Sequence, residues 1–146
     1  MKFTPPVKVP LFEANGMVNR EWALFFQNLS QGDPGTLWTP TYSGLTLVGS
    51  VVHTGKWYRI SDYMQYFWAT ITSSGGGTHA STAGTTYLSN YPSDITGNGG
   101  SVRVSNMATN IAAGGGVAVA SNDRIYLPTW AATAETFVVA GVVEAR

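Results

Sequence analysis

Residue types that do chemistry are few in this chain, and their spacing fits none of the common reactive motifs. The nearest approach to a phosphate loop is Gly49-Ser50-Val51-Val52-His53-Thr54-Gly55-Lys56-Trp57. A P-loop needs four residues between its glycines, and a Ser or Thr after the lysine to hold magnesium. Here five residues intervene and Trp57 follows. A Thr-Gly turn between two strands accounts for the same residues. Gly75-Gly76-Gly77 and Gly114-Gly115-Gly116 open no helix, so they lack the anion-binding geometry of a helix N-terminus and read as glycine-rich turns. The two histidines, His53 and His79, show no His-x-x-x-His spacing, and cysteine is absent, so no metal site is expected. No Gly-x-Ser-x-Gly elbow occurs. Asp62, Asp94, Asp123, Glu135 and Glu144 are scattered and nominate no carboxylate pair, although folding could join two of them for glycoside chemistry. The expectation is a chain that is not an enzyme and carries no cofactor.

Aromatic residues are the remaining candidates. All seven tyrosines and four of the five tryptophans lie at or beyond Trp38. Exposed Trp and Tyr beside Asn and Asp would make a saccharide-binding surface. Trp57, Tyr91 and Trp130 are the candidates for glycan or subunit contact. The competing reading, which is favoured, places such rings in a packed core and subunit interface, where Tyr and Trp are also enriched.

The elements that must position these residues are strands. From Thr36 onward, Gly, Ser, Thr and Asn punctuate short runs of β-formers. Candidate strands are Leu45–Val52, Lys56–Ile60, Met64–Thr72, Thr85–Ser89, Ser101–Met107, Val117–Ala120, Arg124–Leu127 and Thr136–Val143. In the third, Tyr66, Trp68 and Thr70 share one face while Phe67, Ala69 and Ile71 share the other, so both faces could be covered. Ser73–Gly77 and Ala112–Gly116 are read as loops between strands. The pattern predicts an all-β domain, an antiparallel sandwich or barrel, over 34–146.

Residues 1–33 differ in texture. Pro5, Pro6 and Pro10 favour an extended arm without ladder hydrogen bonds, and Asn15-Gly16 signals a turn. A single short helix is expected over 19–30, with Asn19 as cap and Glu21 in the first turn. Trp22, Phe25, Phe26 and Leu29 fall at i, i+3, i+4 and i+7, one face of that helix. So short a helix forms only if its apolar stripe is buried. The stripe packs either on the chain's own β-domain or on a partner, as a docking peg.

Charge narrows the classes further. Eight basic and eight acidic residues make 11% of the chain and give zero net charge, against roughly 25% charged in an ordinary domain. No basic patch is available for a nucleic acid. No apolar run reaches the ~18–20 residues of a membrane span, and the N-terminus lacks the apolar core of a signal peptide. No membrane insertion is expected. A neutral, charge-poor chain suits an assembled protein better than a free monomer.

Two segments carry a resemblance. Pro10–Leu29, with its Asn-Gly turn before Trp22-Ala23-Leu24-Phe25-Phe26-Gln27-Asn28-Leu29, resembles the N-terminal segment of small bacteriophage structural proteins. Gly35-Thr36-Leu37-Trp38-Thr39-Pro40-Thr41, followed by Gly55-Lys56-Trp57-Tyr58-Arg59-Ile60, looks like the opening of β-sandwich domains in phage tail-fibre and appendage proteins. Two departures stand out: Leu37 is inserted before Trp38, and Ser61 stands where glycine is usual. The resemblance implies a virion protein made in the host cytoplasm, with a jelly-roll-like antiparallel β-sandwich preceded by the arm and helix. It implies a homotrimer that contacts other virion proteins of tail, neck or capsid. The subunit would belong to a tail or neck appendage or fibre. A capsid decoration (cement) protein of similar form, or a module binding host surface glycan, are the alternatives.

Overall fold

The computed structural model describes residues 6, 8–13, 17–24 and 35–146. The chain separates into two units, Met1–Gly35 and Thr36–Arg146.

In the first unit the described chain doubles back instead of running as a plain extended arm. Phe12 and Val18 form an antiparallel bridge. The Glu13 N–H donates to Met17 O at 2.8 Å, and the Asn19 N–H to Leu11 O at 2.9 Å. Asn19 then caps a helical turn over 20–24, its Oδ1 accepting from the Glu21 N–H at 2.9 Å. The rest of the helix expected over 19–30 lies outside the described residues.

The second unit is all-β and antiparallel. Its strands are β1 Thr36–Trp38, β2 Tyr42–Ser43, β3 Thr46–Arg59, β4 Met64–Ser81, β5 Tyr87–Leu88, β6 Gly99–Asn106, β7 Ile111–Val119, β8 Arg124–Tyr126, β9 Trp130–Thr133 and β10 Thr136–Glu144. They form one curled sheet in the order β1-β3-β4-β10-β6-β7-β8-β5-β2, with β9 pairing the far half of β4. The first half of β4 pairs β10 from Met64 to Thr72, and the second pairs β9 from Thr78 to Ser81.

Two sequence expectations fail here: the Thr54-Gly55 turn expected between two strands pairs in register with Thr70 and Ala69, and the loop expected after Thr72 is a bulge. Leu45–Val52 and Lys56–Ile60 fuse into the single strand β3, and the supposed loop Ser73–Gly77 lies inside β4. The pairing runs Val48↔Thr78 and then Ser50↔Ser74, so three residues of β4 face Gly49 alone. Gly75 and Gly76 absorb the excess at φ 58° and 83°, angles that other residues adopt only at a cost. The glycines thus bend a continuous hairpin instead of ending it. Ala112–Gly116, also expected as a loop, carries the β6 ladder through a one-residue shift between Val104 and Ser105.

The core lies on the inner face of this curl. Phe67, Ala69 and Ile71 of β4 meet Phe137, Val139 and Val143 of β10, Val102 and Val104 of β6, and Leu88 and Ile125 across the fold. Period-two alternation puts these residues on one side. Their outward neighbours on β10, Val138, Ala140 and Val142, stay half-buried. Polar groups that share the core are mostly paired. Gln65 donates through Nε2 to Ser93 Oγ at 3.0 Å, and its Oε1 accepts from the Tyr91 hydroxyl at 3.2 Å.

Candidate functional site

The outward face of β3, β4, β10 and β6 is the chief candidate. Register fixes its rows. Leu37, Lys56, Trp68, Ala140 and Arg103 lie side by side, as do Tyr58, Tyr66, Val142 and Ser101 in the next row. The third row holds Thr54, Thr70, Val138 and Ser105, and the last Val52, Thr72 and Thr136. An antiparallel sheet with one solvated face ordinarily turns polar side chains to that side. This one turns out Leu37 at 78% exposure, Val52 at 56%, Trp68 at 39% and Tyr66 at 36%. Tyr58 and Tyr66 pack at 5.8 Å between centroids, and Lys56 Nζ lies 5.6 Å from the Tyr58 ring. The Thr54 and Thr70 hydroxyls bond at 2.5 Å. Exposed apolar side chains on one sheet face, here interrupted by Lys56 and the Thr54–Thr70 row, make that face the candidate interaction surface. Among the described residues the Phe67, Ala69 and Ile71 side of Tyr66–Thr72 is sealed, while on the other side Thr70 is buried and Tyr66 and Trp68 stay partly exposed.

At the Tyr66 row the face ends in a groove of about 580 Å³, lined among others by Tyr63, Met64, Asn98, Ser101, Val142 and Glu144. The β3–β4 turn forms one wall. Ser61 Oγ holds it by accepting from the Tyr63 and Met64 N–H groups at 3.3 and 3.1 Å. The 95–98 loop forms the other wall, where the Thr96 N–H donates to Glu144 O at 2.9 Å.

The residues singled out from sequence fall elsewhere. Tyr91 is 6% exposed and Trp130 7%, so neither ring has a face free for a sugar; both are core residues. The Tyr91 ring meets Phe67 and Trp38 edge-on at 5.4 and 6.0 Å, and burial pushes its phenol up from 10.0. Trp130 stacks on Phe137 at 5.2 Å and donates its Nε1–H to His79 Nδ1 at 2.9 Å. Trp57 pairs with Phe67, which places it on the inner face, half-buried against the core. Trp22 is half-buried and donates its Nε1–H to Val9 O at 2.8 Å. Phe25, Phe26 and Leu29 lie outside the described residues. Tyr63, Tyr66 and Trp68 were legible as aromatics but not as the outward ones, because that choice depends on the register of the whole sheet.

Both histidines turn inward. Burial lowers His79, an effect opposed by its bond to Glu135 O. Burial also lowers His53, opposed by the Pro40 carbonyl. Beside His53, edge-on at 5.1 Å, lies Tyr42. Trp38 Nε1, Tyr42 Oη and His53 Nε2 are buried without hydrogen-bond partners among the described residues. No three His, Cys, Asp or Glu residues among those described are grouped to hold a metal ion.

Comparison with protein-family models, with curated proteins and with solved structures finds no match to the chain.

Proposed function

We propose that the chain is a non-enzymatic structural subunit of a bacteriophage particle, a homotrimer whose copies meet through the outward face of β3, β4 and β10. The exposed side chains of Leu37, Trp68, Tyr66 and Val52 on this face carry this reading. The natural occupant of the face is a second copy of the chain. Net charge is zero, so copies do not repel one another, and Lys56 already rests on Tyr58. Covering those four side chains removes on the order of 400 Å² of apolar surface per copy, about 10 kcal/mol. That is comparable to the roughly 4–15 kcal/mol lost on association, so the flanking valines and threonines must also be covered. The phage assignment is supported by the resemblance of Pro10–Leu29 and of Gly35–Ile60. In it, Trp22 and its stripe attach the subunit to tail or neck.

Sedimentation of the full chain tests the assembly. A trimer at micromolar concentration is expected, and Trp68→Lys should dissociate it while leaving the β spectrum intact. A wild-type monomer, or a Trp68→Lys trimer as stable as wild type, would refute the shared face. Mass spectrometry of purified particles tests the location.

A further inference from the structure

We propose that the groove between the β3–β4 turn and the 95–98 loop binds a neutral saccharide. The site shares Val142 and Ser101 with the Tyr66 row of the outward face, but Tyr63, Asn98 and Glu144 lie past that row, so it does not rest on the assembly reading. Tyr63 forms an aromatic wall and is 51% exposed. Arg146 stacks on that ring at 4.4 Å and steadies it. Met64 and Val142 make an apolar floor beside Glu144, which pairs with Met64 across the strands.

Polar groups converge above that floor. Glu144 is exposed, and its carboxylate packs against Gly97, where a side chain would collide with it. Asn98 accepts the Ala120 N–H through Oδ1 at 2.9 Å. Its Nδ2 donors have no partner among the described residues. Ser101 adds an exposed hydroxyl. A carboxylate that only accepts, an amide left with two donors and a hydroxyl that does both match the vicinal hydroxyls of a sugar ring. The aromatic wall and apolar floor match its C–H faces. Ligand sites have this make-up, a mostly apolar concavity with a few fixed polar groups.

The walls are fixed before any ligand arrives, which lowers the cost of binding. Ile95 N–H donates to Asp123 Oδ1 at 2.7 Å, and Asp94 and Arg146 exchange backbone bonds at 3.2 and 3.0 Å. An anionic sugar is disfavoured because Glu144 faces it while the Arg146 cation is engaged with Tyr63. One carboxylate lines the groove, whereas most glycoside hydrolases use two. The geometry therefore assigns binding without cleavage.

Nuclear magnetic resonance titration of the full chain with N-acetylglucosamine, maltose and methyl mannoside tests the site. Shifts are expected at the Asn98 side-chain amide and the Gly100 and Ser101 N–H groups for at least one sugar, with millimolar affinity. Tyr63→Ala and Glu144→Gln should each weaken it at least ~tenfold. Tyr63→Phe should retain it, which separates stacking from a folding defect. Trp68→Lys should also retain it, so failure of assembly and failure of sugar binding are read separately. No shift with any of the three sugars, or shifts unchanged in both Tyr63→Ala and Glu144→Gln, would overturn the proposal.

Discussion

Acidification should destabilise the fold through His79, and the size of the effect follows from its surroundings. The imidazole is fully buried. Its Nδ1 accepts the Trp130 Nε1–H at 2.9 Å, so the proton of the neutral ring sits on Nε2, 3.3 Å from Glu135 O. Protonating Nδ1 would set two N–H groups against each other inside the core. Burial accordingly lowers the folded pKa from 6.5, with only partial opposition from Glu135. A lowered histidine gives stability that is complete above the unfolded pKa and lost as pH falls from there through the folded pKa. The slope of that loss approaches about 1.4 kcal/mol per pH unit for one proton. The loss between pH 8 and pH 5 is therefore at most about 2 kcal/mol, reached when the folded ring stays neutral throughout. Urea denaturation followed by tryptophan fluorescence at several pH values measures it. His79→Gln, which keeps one donor and one acceptor, should lower stability at pH 8 by loss of packing yet remove up to about 2 kcal/mol of the acid dependence. The lowered pKa of His53 adds to the wild-type slope in the same direction and persists in the variant. An acid dependence unchanged in His79→Gln would refute the assignment of the buried neutral tautomer.

Three further substitutions probe the packing, each read by the same denaturation. Tyr42→Phe removes a buried hydroxyl that has no partner among the described residues and should leave stability unchanged or raise it by about 1 kcal/mol, since an unsatisfied buried polar group costs ~1–3 kcal/mol. A loss above that size would show that the hydroxyl is bonded. Gly141→Ala should cost at least ~2 kcal/mol, because its new methyl meets Val102 Cα at 2.7 Å and the Ser101 carbonyl, backbone that cannot turn aside. Gly76→Ala has nothing within 4 Å of the new methyl and φ of 83°, so it should cost only the ~1–2 kcal/mol of a left-handed non-glycine residue.

Alternation made the core legible and left the site hidden. Phe67, Ala69 and Ile71 could be assigned to one face of β4 from spacing alone, and they are the sealed face. The same spacing could not show that Tyr66 and Trp68 stay partly exposed among the described residues, since that depends on which strands lie opposite. Glycine misled at β4, where a local signal for a turn was used as a bend within an unbroken hairpin. The strands β1, β2 and β9 have two to four residues, too few for any period to emerge.

Trp130 shows how far a ring's role is set by its neighbours. By type it suited either a sugar platform or a core. The pairing of Ser81 with Trp130 and Ala80 with Ala131 turns the indole inward beside His79. There its Nε1–H finds the acceptor that a buried indole requires, and Phe137 supplies the stacking face. Tyr63 has the opposite fate: a turn held by Ser61 leaves half its surface in solvent, with Arg146 fixing the ring. Aromatics of the same general kind thus divide between stability and recognition, and the register of β4 with β9, together with the hydrogen bonds of the β3–β4 turn, makes the division.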